Sequence, residues 1–339
     1  MKHSTATIAI LGLALFLTTF ATAQRYTVTE IAIQDDDTDA TALNDHGAVA
    51  GTYRNPGTDV VHAFRFSNRG LIDDLGTLGG SRSFGQGVNN SGEIVGSSQL
   101  AGDLVVHAFV SKDGVMSDLG TLGGDSMAFG INRSGEVCGS AVTADHNYHA
   151  FLYSQGNMMD LGTLGGTSSF GEGLNRFGKV TGAAYLPGDS IYHAFLYENG
   201  SMTDLGSLAD FSHGYAVNDK GQVAGETFVP NGIGAHAFLF TNGSMIDLGT
   251  FGGTISEGFG INNAGHVVGT ANIANDQDRH AFIYISGKGM LDLNALIPSG
   301  SGWVLQVARA VNDKDEIVGF GVINGKSRAF LLEPVHRKK

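Results

Sequence analysis

Met158-Met159-Asp160-Leu161-Gly162, Phe170-Gly171-Glu172-Gly173-Leu174-Asn175, Lys179-Val180-Thr181-Gly182-Ala183-Ala184 and His193-Ala194-Phe195-Leu196-Tyr197 are four short apolar segments following one another within 40 residues. Each is too short for a helix and rich enough in glycine and β-branched or aromatic residues to read as a strand. Asn175-Arg176-Phe177-Gly178 separates the second from the third. Asn at its first position and Gly at its fourth are type I turn chemistry. Asn199-Gly200 follows the fourth segment, and Asn-Gly is the strongest short hairpin signal.

The pattern recurs along the whole chain. His-Ala-Phe begins at His62, His107, His149, His193, His236 and His280, with Arg328-Ala329-Phe330 as a seventh copy, at steps of 42–48 residues. Asn-x-x-Gly-x-Val/Ile-x-Gly begins at Asn89, Asn132, Asn175, Asn218 and Asn262, with a close copy at Asn44 and a variant at Asn312 where Asp315 replaces the first glycine. Asp-Leu-Gly stands at Asp74, Asp118, Asp160, Asp204 and Asp247, and becomes Asp292-Leu293-Asn294 in the last unit. Tyr26–Ile33 fills that slot in the first. Four strands in about 44 residues, seven times over, predict an all-β fold, a seven-bladed β-propeller of four short antiparallel strands per blade. An open β-solenoid is the rival, but solenoids need capping repeats. The first and last units here are nearly full copies, which predicts a closed ring spanning residues 24–335. No 3.6-residue apolar stripe persists, so essentially no helix is expected.

The ends bound the compartment. Lys2 and His3 precede the apolar run Ile8–Leu17, and Ala21-Thr22-Ala23 follows. A basic start, a short apolar core and a small-residue site predict a secretory signal peptide over residues 1–23. The run is about half of the roughly 20 residues a spanning helix needs, so no membrane insertion is expected. The mature chain is expected to be secreted, extracellular or periplasmic, and monomeric, ending in a short basic tail, 336–339. The net charge of −13 argues against nucleic acid and anionic membrane surfaces as partners. Cys138 is the only cysteine. No internal disulfide can form, so the core must hold the fold. Sister copies carry Val95, Thr181, Ala224 and Val268 at its position, which makes it a strand residue rather than a nucleophile.

Six histidines at one motif position invite a metal reading. Copies of one position in a propeller are spread around a ring and cannot converge on one ion as zinc requires. Each is therefore expected to bond within or between blades and fix strand register. Gly79-Gly80, Gly123-Gly124, Gly165-Gly166 and Gly252-Gly253 lack the following helix and Lys-Ser/Thr of a phosphate loop and read as turns. No G-x-S-x-G or H-E-x-x-H is present. No catalytic, cofactor-binding or metal-binding residue is assigned, although a divalent ion at surface carboxylates stays open.

His-Ala-Phe, Asp-Leu-Gly-Thr-Leu-Gly-Gly and Asn-x-x-Gly-x-Val-x-Gly together resemble the HAF-repeat family of bacterial extracellular repeat proteins, over residues 26–333. Asp292–Trp303 looks like the divergent last repeat of that family. The resemblance implies a bacterial source and secretion, and it carries no activity and no site residues. Leu208-Ala209-Asp210-Phe211 departs from the usual Leu-Gly-Gly. Near-identity of the units favours a binding module for a protein or glycan at the cell exterior, or a structural envelope component, over an enzyme, because an active site usually forces asymmetry on a few units. A polysaccharide-acting hydrolase or lyase is the third alternative, because fold alone does not fix function. Strand alternation puts the tight Asn-x-x-Gly and Asn-Gly turns on one face and the longer, variable loops on the other. Variable loops on a rigid scaffold are where recognition lives. The candidate ligand-binding residues are accordingly Asp36, Asp103, Asp145 and Asp276, and their charge predicts a cationic or ion-bridged guest.

Overall fold

The computed structural model describes residues 25–33, 37–54, 57–58, 60–67, 70–230 and 234–335. The expected signal peptide 1–23, the tail 336–339 and Asp36 lie outside the described residues. Apart from two three-residue 3-10 turns, Ala274–Asp276 and Leu293–Ala295, every regular element is a strand. Five sheets hold four antiparallel strands each. The remaining strands form two further groups of four, Asp37–Asp74 and Gly79–Asp118, joined into one eight-stranded sheet by the single parallel pair Val61–Arg82.

In the sheet built from the quoted unit, Ser169–Leu174, Val180–Tyr185, Tyr192–Glu198 and Ser201–Asp204 pair in chain order. The Asp-Leu-Gly strand thus closes a sheet rather than opening one: Asn157–Asp160 pairs with Tyr148–Ser154 of the preceding unit. Gln155 and Gly156, at φ 52° and 84°, make the two-residue hairpin that holds it there. The chain then crosses to the next sheet through the Gly-Thr-Leu-Gly-Gly loop. The last sheet is completed from the other end of the chain: Trp303–Val311, Ile317–Ile323 and Lys326–Pro334 take Tyr26–Ile31 as their fourth strand, in the register Glu30 opposite Phe330.

The first strand of each sheet touches the first strands of both neighbouring sheets, and Trp303–Val311 returns to Asp37–Leu43. The sheets therefore stand radially around an axis, which is a β-propeller. The core lies between them. Phe64, Phe109, Phe151, Phe195, Phe238, Phe282 and Phe330, the aromatic of each His-Ala-Phe copy, are all fully buried. In six of the seven copies, Gly51, Gly96, Gly139, Gly182, Gly225 and Gly269, the glycine ending the motif makes room for that ring. A Cβ on Gly182 would collide with the Phe170 carbonyl and lie 3.0 Å from the Phe195 ring. Truncating one such Phe to Ala would destabilise by about 3–5 kcal/mol.

Strand direction sets the two faces. The Asn-x-x-Gly turns and the hairpins such as Gln155-Gly156 emerge on one. The loops 101–105, 143–147, 186–191 and 274–278, with the Gly-Thr-Leu-Gly-Gly connections, emerge on the other, as the strand count predicts.

Candidate functional site

On the short-turn face the motif asparagines interlock. Asn175 Oδ1 accepts the N–H groups of Phe177 and Lys179, both at 3.0 Å, which fixes its own turn. Its Nδ2 donates at 3.0 Å to the carbonyl of Asn218 in the next sheet. The same inter-sheet bond runs from Asn44 to Asn89, to Asn132, to Asn175, to Asn218, to Asn262, to Asn312 and back to Asn44, at 2.8–3.2 Å. These side chains are buried and used up by the scaffold. They surround a depression of about 410 Å³ floored by Val88, Ile131, Val217 and their equivalents.

The repeated histidines also serve the scaffold. Each pairs through Nδ1 with the Asp of the Asp-Leu-Gly beside it, His62 with Asp74 through to His280 with Asp292, at 2.7–3.0 Å. The bond stays within one sheet and ties its third strand to its fourth. The same Asp accepts a backbone N–H, as Asp160 does from Gly162 at 2.8 Å. Burial pushes the Asp74 carboxyl up, but bonds from Gly76 N–H, His62 and the Tyr53 hydroxyl outweigh it and hold the pKa below the ordinary value. Cys138 is fully buried and its thiol pKa is raised by burial, as for an inert strand residue.

What the scaffold does not consume lies in the channel. Every first strand carries a register shift between two small residues, at Ala40/Ala42, Gly85/Gly87, Ala128/Gly130, Gly171/Gly173, Gly214/Ala216, Gly258/Gly260 and Ala308/Ala310. The bulged residues are Thr41, Gln86, Phe129, Glu172, Tyr215, Phe259 and Arg309. A bulge takes a residue out of the ladder and re-aims its side chain. Gln86, Phe129, Glu172, Phe259 and Arg309 line a channel of about 210 Å³. Its contents are uneven around the axis. The Tyr215 hydroxyl donates to Glu226 Oε1 at 2.8 Å, and its ring stacks on His213 at 4.5 Å and tilts against Phe259 at 5.2 Å. Arg309 lies over Phe259 at 4.8 Å and near Phe320 at 5.7 Å, 3.6 Å from Asp39 Oδ2, too far for a hydrogen bond.

The electrostatics follow from crowded carboxylates. Burial and the neighbouring Glu226 raise the Glu257 pKa, and Arg309 and Arg279 only partly offset them. Although 35 % of the Asp39 side chain is accessible, the surrounding protein desolvates it and raises its pKa against the pull of Arg309. Burial, then Glu226, push the Tyr215 hydroxyl well above its ordinary range, so it stays protonated. Among the described residues Asp39 Oδ1, His213 Nε2 and Arg309 Nε are buried without hydrogen-bond partners; Glu172 lies 3.6 Å from His213 Nε2. Orphaned polar atoms are uncommon in finished cores, and of these three residues Arg309 lines the channel. A run of rings leads outward from it, His213 to Tyr192 at 6.4 Å, Tyr192 to Phe211 at 4.9 Å and Phe211 to the exposed Phe228 at 5.1 Å.

The sequence-predicted carboxylates sit elsewhere and are not brought together. Asp103, Asp145 and Asp276 occupy the loops of three different sheets. Asp103 Oδ1 accepts the Ser81 N–H and Asp276 Oδ1 the Thr254 N–H, each at 2.7 Å, bracing the loop against the first strand. That bond holds the Asp276 pKa below its ordinary value. Asp145 is exposed and makes no hydrogen bond among the described residues. The channel residues went unnoticed because each reads as an ordinary strand residue. The available signal was the single variable position inside the small-x-small triplet two residues before each motif Asn.

No protein-family model matches the chain, and no curated protein matches it. Among solved structures it is similar to a puromycin-hydrolyzing peptidase of Mycobacterium tuberculosis, with a TM-score of 0.59 at 11 % identity over 89 % of this chain and 53 % of that one. The extracellular domain of a one-component system from B. thetaiotaomicron gives a TM-score of 0.53 at 8 % identity, covering 90 % of this chain and 40 % of that one. TolB from Acinetobacter baumannii gives 0.48 at 12 % identity over 86 % and 65 %. This chain spans less than two thirds of each, and the likeness at these identities is one of fold.

Proposed function

We propose that the chain is a secreted seven-bladed propeller of the HAF-repeat type, acting as a non-catalytic binding module at the cell exterior. It takes its protein or glycan ligand on the long-loop face, with the channel as the seat. The closed circle of seven asparagine bonds supports the blade number. One observation carries the functional reading: a frame that repeats its core, turns and His–Asp pairs nearly unchanged gives that regularity up at the bulge position, where six residue types occupy seven equivalent places. Six types at one bulged, channel-facing position fit a surface built for one guest.

The test uses residues 24–339, purified and screened by thermal shift against glycans and peptides. A specific ligand stabilises the native state. Its stabilisation is expected to disappear in Gln86→Ala/Glu172→Ala/Tyr215→Ala and to persist in Asn157→Ala/Ser201→Ala/Ser244→Ala on the short-turn face. Loss only in the second set would overturn the placement.

A further inference from the structure

The residues that follow the motif asparagines line the same depression on the short-turn face and form a second circle of bonds, which is incomplete. The backbone N–H of Arg176 donates to Asp219 Oδ1 at 3.4 Å, and that of Asp219 to Asn263 Oδ1 at 2.9 Å. Asn263 donates in the same way to Asp313 at 2.8 Å, Asp313 to Asp45 at 3.2 Å, and Asp45 to Asn90 at 3.0 Å. Each of these steps is closed by an Asp or Asn oxygen of the next sheet. The two steps that remain run from Asn90 to Arg133 and from Arg133 to Arg176. A guanidinium has donors only, so neither N–H finds an acceptor there. Among the described residues the Asn90 and Arg133 N–H groups donate to no acceptor, and the Arg133 side chain has no carboxylate beside it.

The depression's unspent charge lies at the same gap. Asp45 accepts from the Asn90 amide at 2.9 Å, and Asp219 and Asp313 accept from the Asn263 amide at 2.9 and 2.8 Å. Arg176 is paired with Asp219, Nε to Oδ2 at 3.2 Å, and Arg133 is left over. Asp219 shows what suits such a group, since one carboxylate takes both the N–H and the Nε of Arg176. Guanidinium groups match carboxylates in shape, and bonds between charged partners are the stronger ones.

We propose that this depression binds the carboxylate of a small organic acid at Arg133. The carboxylate accepts the Arg133 N–H and guanidinium as Asp219 does at Arg176, and so supplies the oxygen that the circle lacks. The volume of about 410 Å³ leaves room for the rest of the acid beside Val88, Ile131 and Leu174. The site stands apart from the long-loop face and does not depend on the reading of that face.

Amide NMR of the isotope-labelled 24–339 chain tests this with propionate as the probe. Propionamide is the neutral control, and chloride at equal concentration is the control for charge alone. Propionate is expected to move the Arg133 amide resonance saturably and to leave those of Asp219 and Asn263, whose acceptors are already in place. Arg133→Asn and Arg176→Asn each put a side-chain oxygen into the circle, as Asn90 and Asn263 do. Each should weaken propionate about tenfold. The unfolding temperature of Arg133→Asn should be equal or higher, which separates lost affinity from lost fold. No response to propionate, an equal response to propionamide or chloride, or an equal response at Asp219 overturns the proposal. So does propionate binding unmoved by both variants.

Discussion

Nε of Arg328 lies 3.2 Å from Oε1 of Glu30, joining the last strand of the chain to the first. Glu30 stands opposite Phe330 as Asp160 stands opposite Phe151, so the pair occupies the place of a His–Asp pair where the ring closes. The Arg328 side chain is 4 % accessible, and removing Glu30 leaves this buried charge with Asp37 Oδ1, at 3.8 Å, as a more distant carboxylate. Because Glu30 itself is 40 % accessible, the expected loss for Glu30→Ala is nearer 2 kcal/mol than the ~3–5 kcal/mol of a fully buried pair. Urea unfolding of the variant measures it; an unchanged midpoint would remove the pair from the closure.

His149→Ala should also destabilise, by about 1 kcal/mol, since it breaks a 2.7 Å bond to Asp160 that holds two strands in register. Chelator should leave the melting temperature of the wild-type chain where it was. A chelator-induced drop would mean that these histidines hold metal.

The asparagine circle separates donor from acceptor. Asn175→Ala loses two acceptances and one donation at a buried position and should cost about 2–3 kcal/mol. Asn175→Asp keeps the acceptor for Phe177 and Lys179 but turns an oxygen on the Asn218 carbonyl. It is expected to be at least as unstable as the alanine variant at pH 7 and to recover at acid pH, when the carboxyl can donate. Thermal melts at two pH values decide the point.

Stability should depend on pH through two opposed groups. Glu257 has a raised pKa, so the folded chain holds its proton more tightly than the unfolded chain does. Its burden on stability grows as pH rises above the unfolded value near ~4.3 and is complete above the folded value. Glu257→Gln should therefore stabilise at pH 7 and gain nothing at pH 4. Glu93 is the reverse: the hydrogen bond from Lys112, and another from Asn89, lower its pKa despite some burial. Its contribution is present above the unfolded value and is lost as pH falls through the folded one, so Glu93→Gln should be destabilising at pH 7 and neutral in acid. Denaturant midpoints of both variants across that window check the two signs.

The residues themselves announce most of the scaffold. Asn175 and Gly178 specify the turn, Ala194-Phe195 the core, and the equivalence of Tyr26–Ile33 to an Asp-Leu-Gly strand foreshadows the closing pair. The candidate site was harder to read. Glu172 between two glycines looks like any strand residue, because a bulge depends on how two strands are paired and leaves no residue type of its own. Asp103 and Asp276 looked like free loop carboxylates, since the N–H groups they accept lie 22 residues upstream and only the folded sheet brings them near. The uneven lining of the channel, Gln86, Phe129, Glu172, Phe259 and Arg309, arises from five sheets contributing one bulged residue each, which no local window contains.

The circle of asparagines has a direction: every side chain donates to the next one along, and the last donates to the first across 268 residues. An open stack of repeats frays from its outer units, each held on one side only. Here no unit is outermost, so unfolding among the described residues is expected to start at the strand Tyr26–Ile31, which must peel from Lys326–Pro334 before the circle can open. Resistance of this protein should then be a matter of rate. It would survive long exposures to mild stress, and then fail as a whole rather than unit by unit.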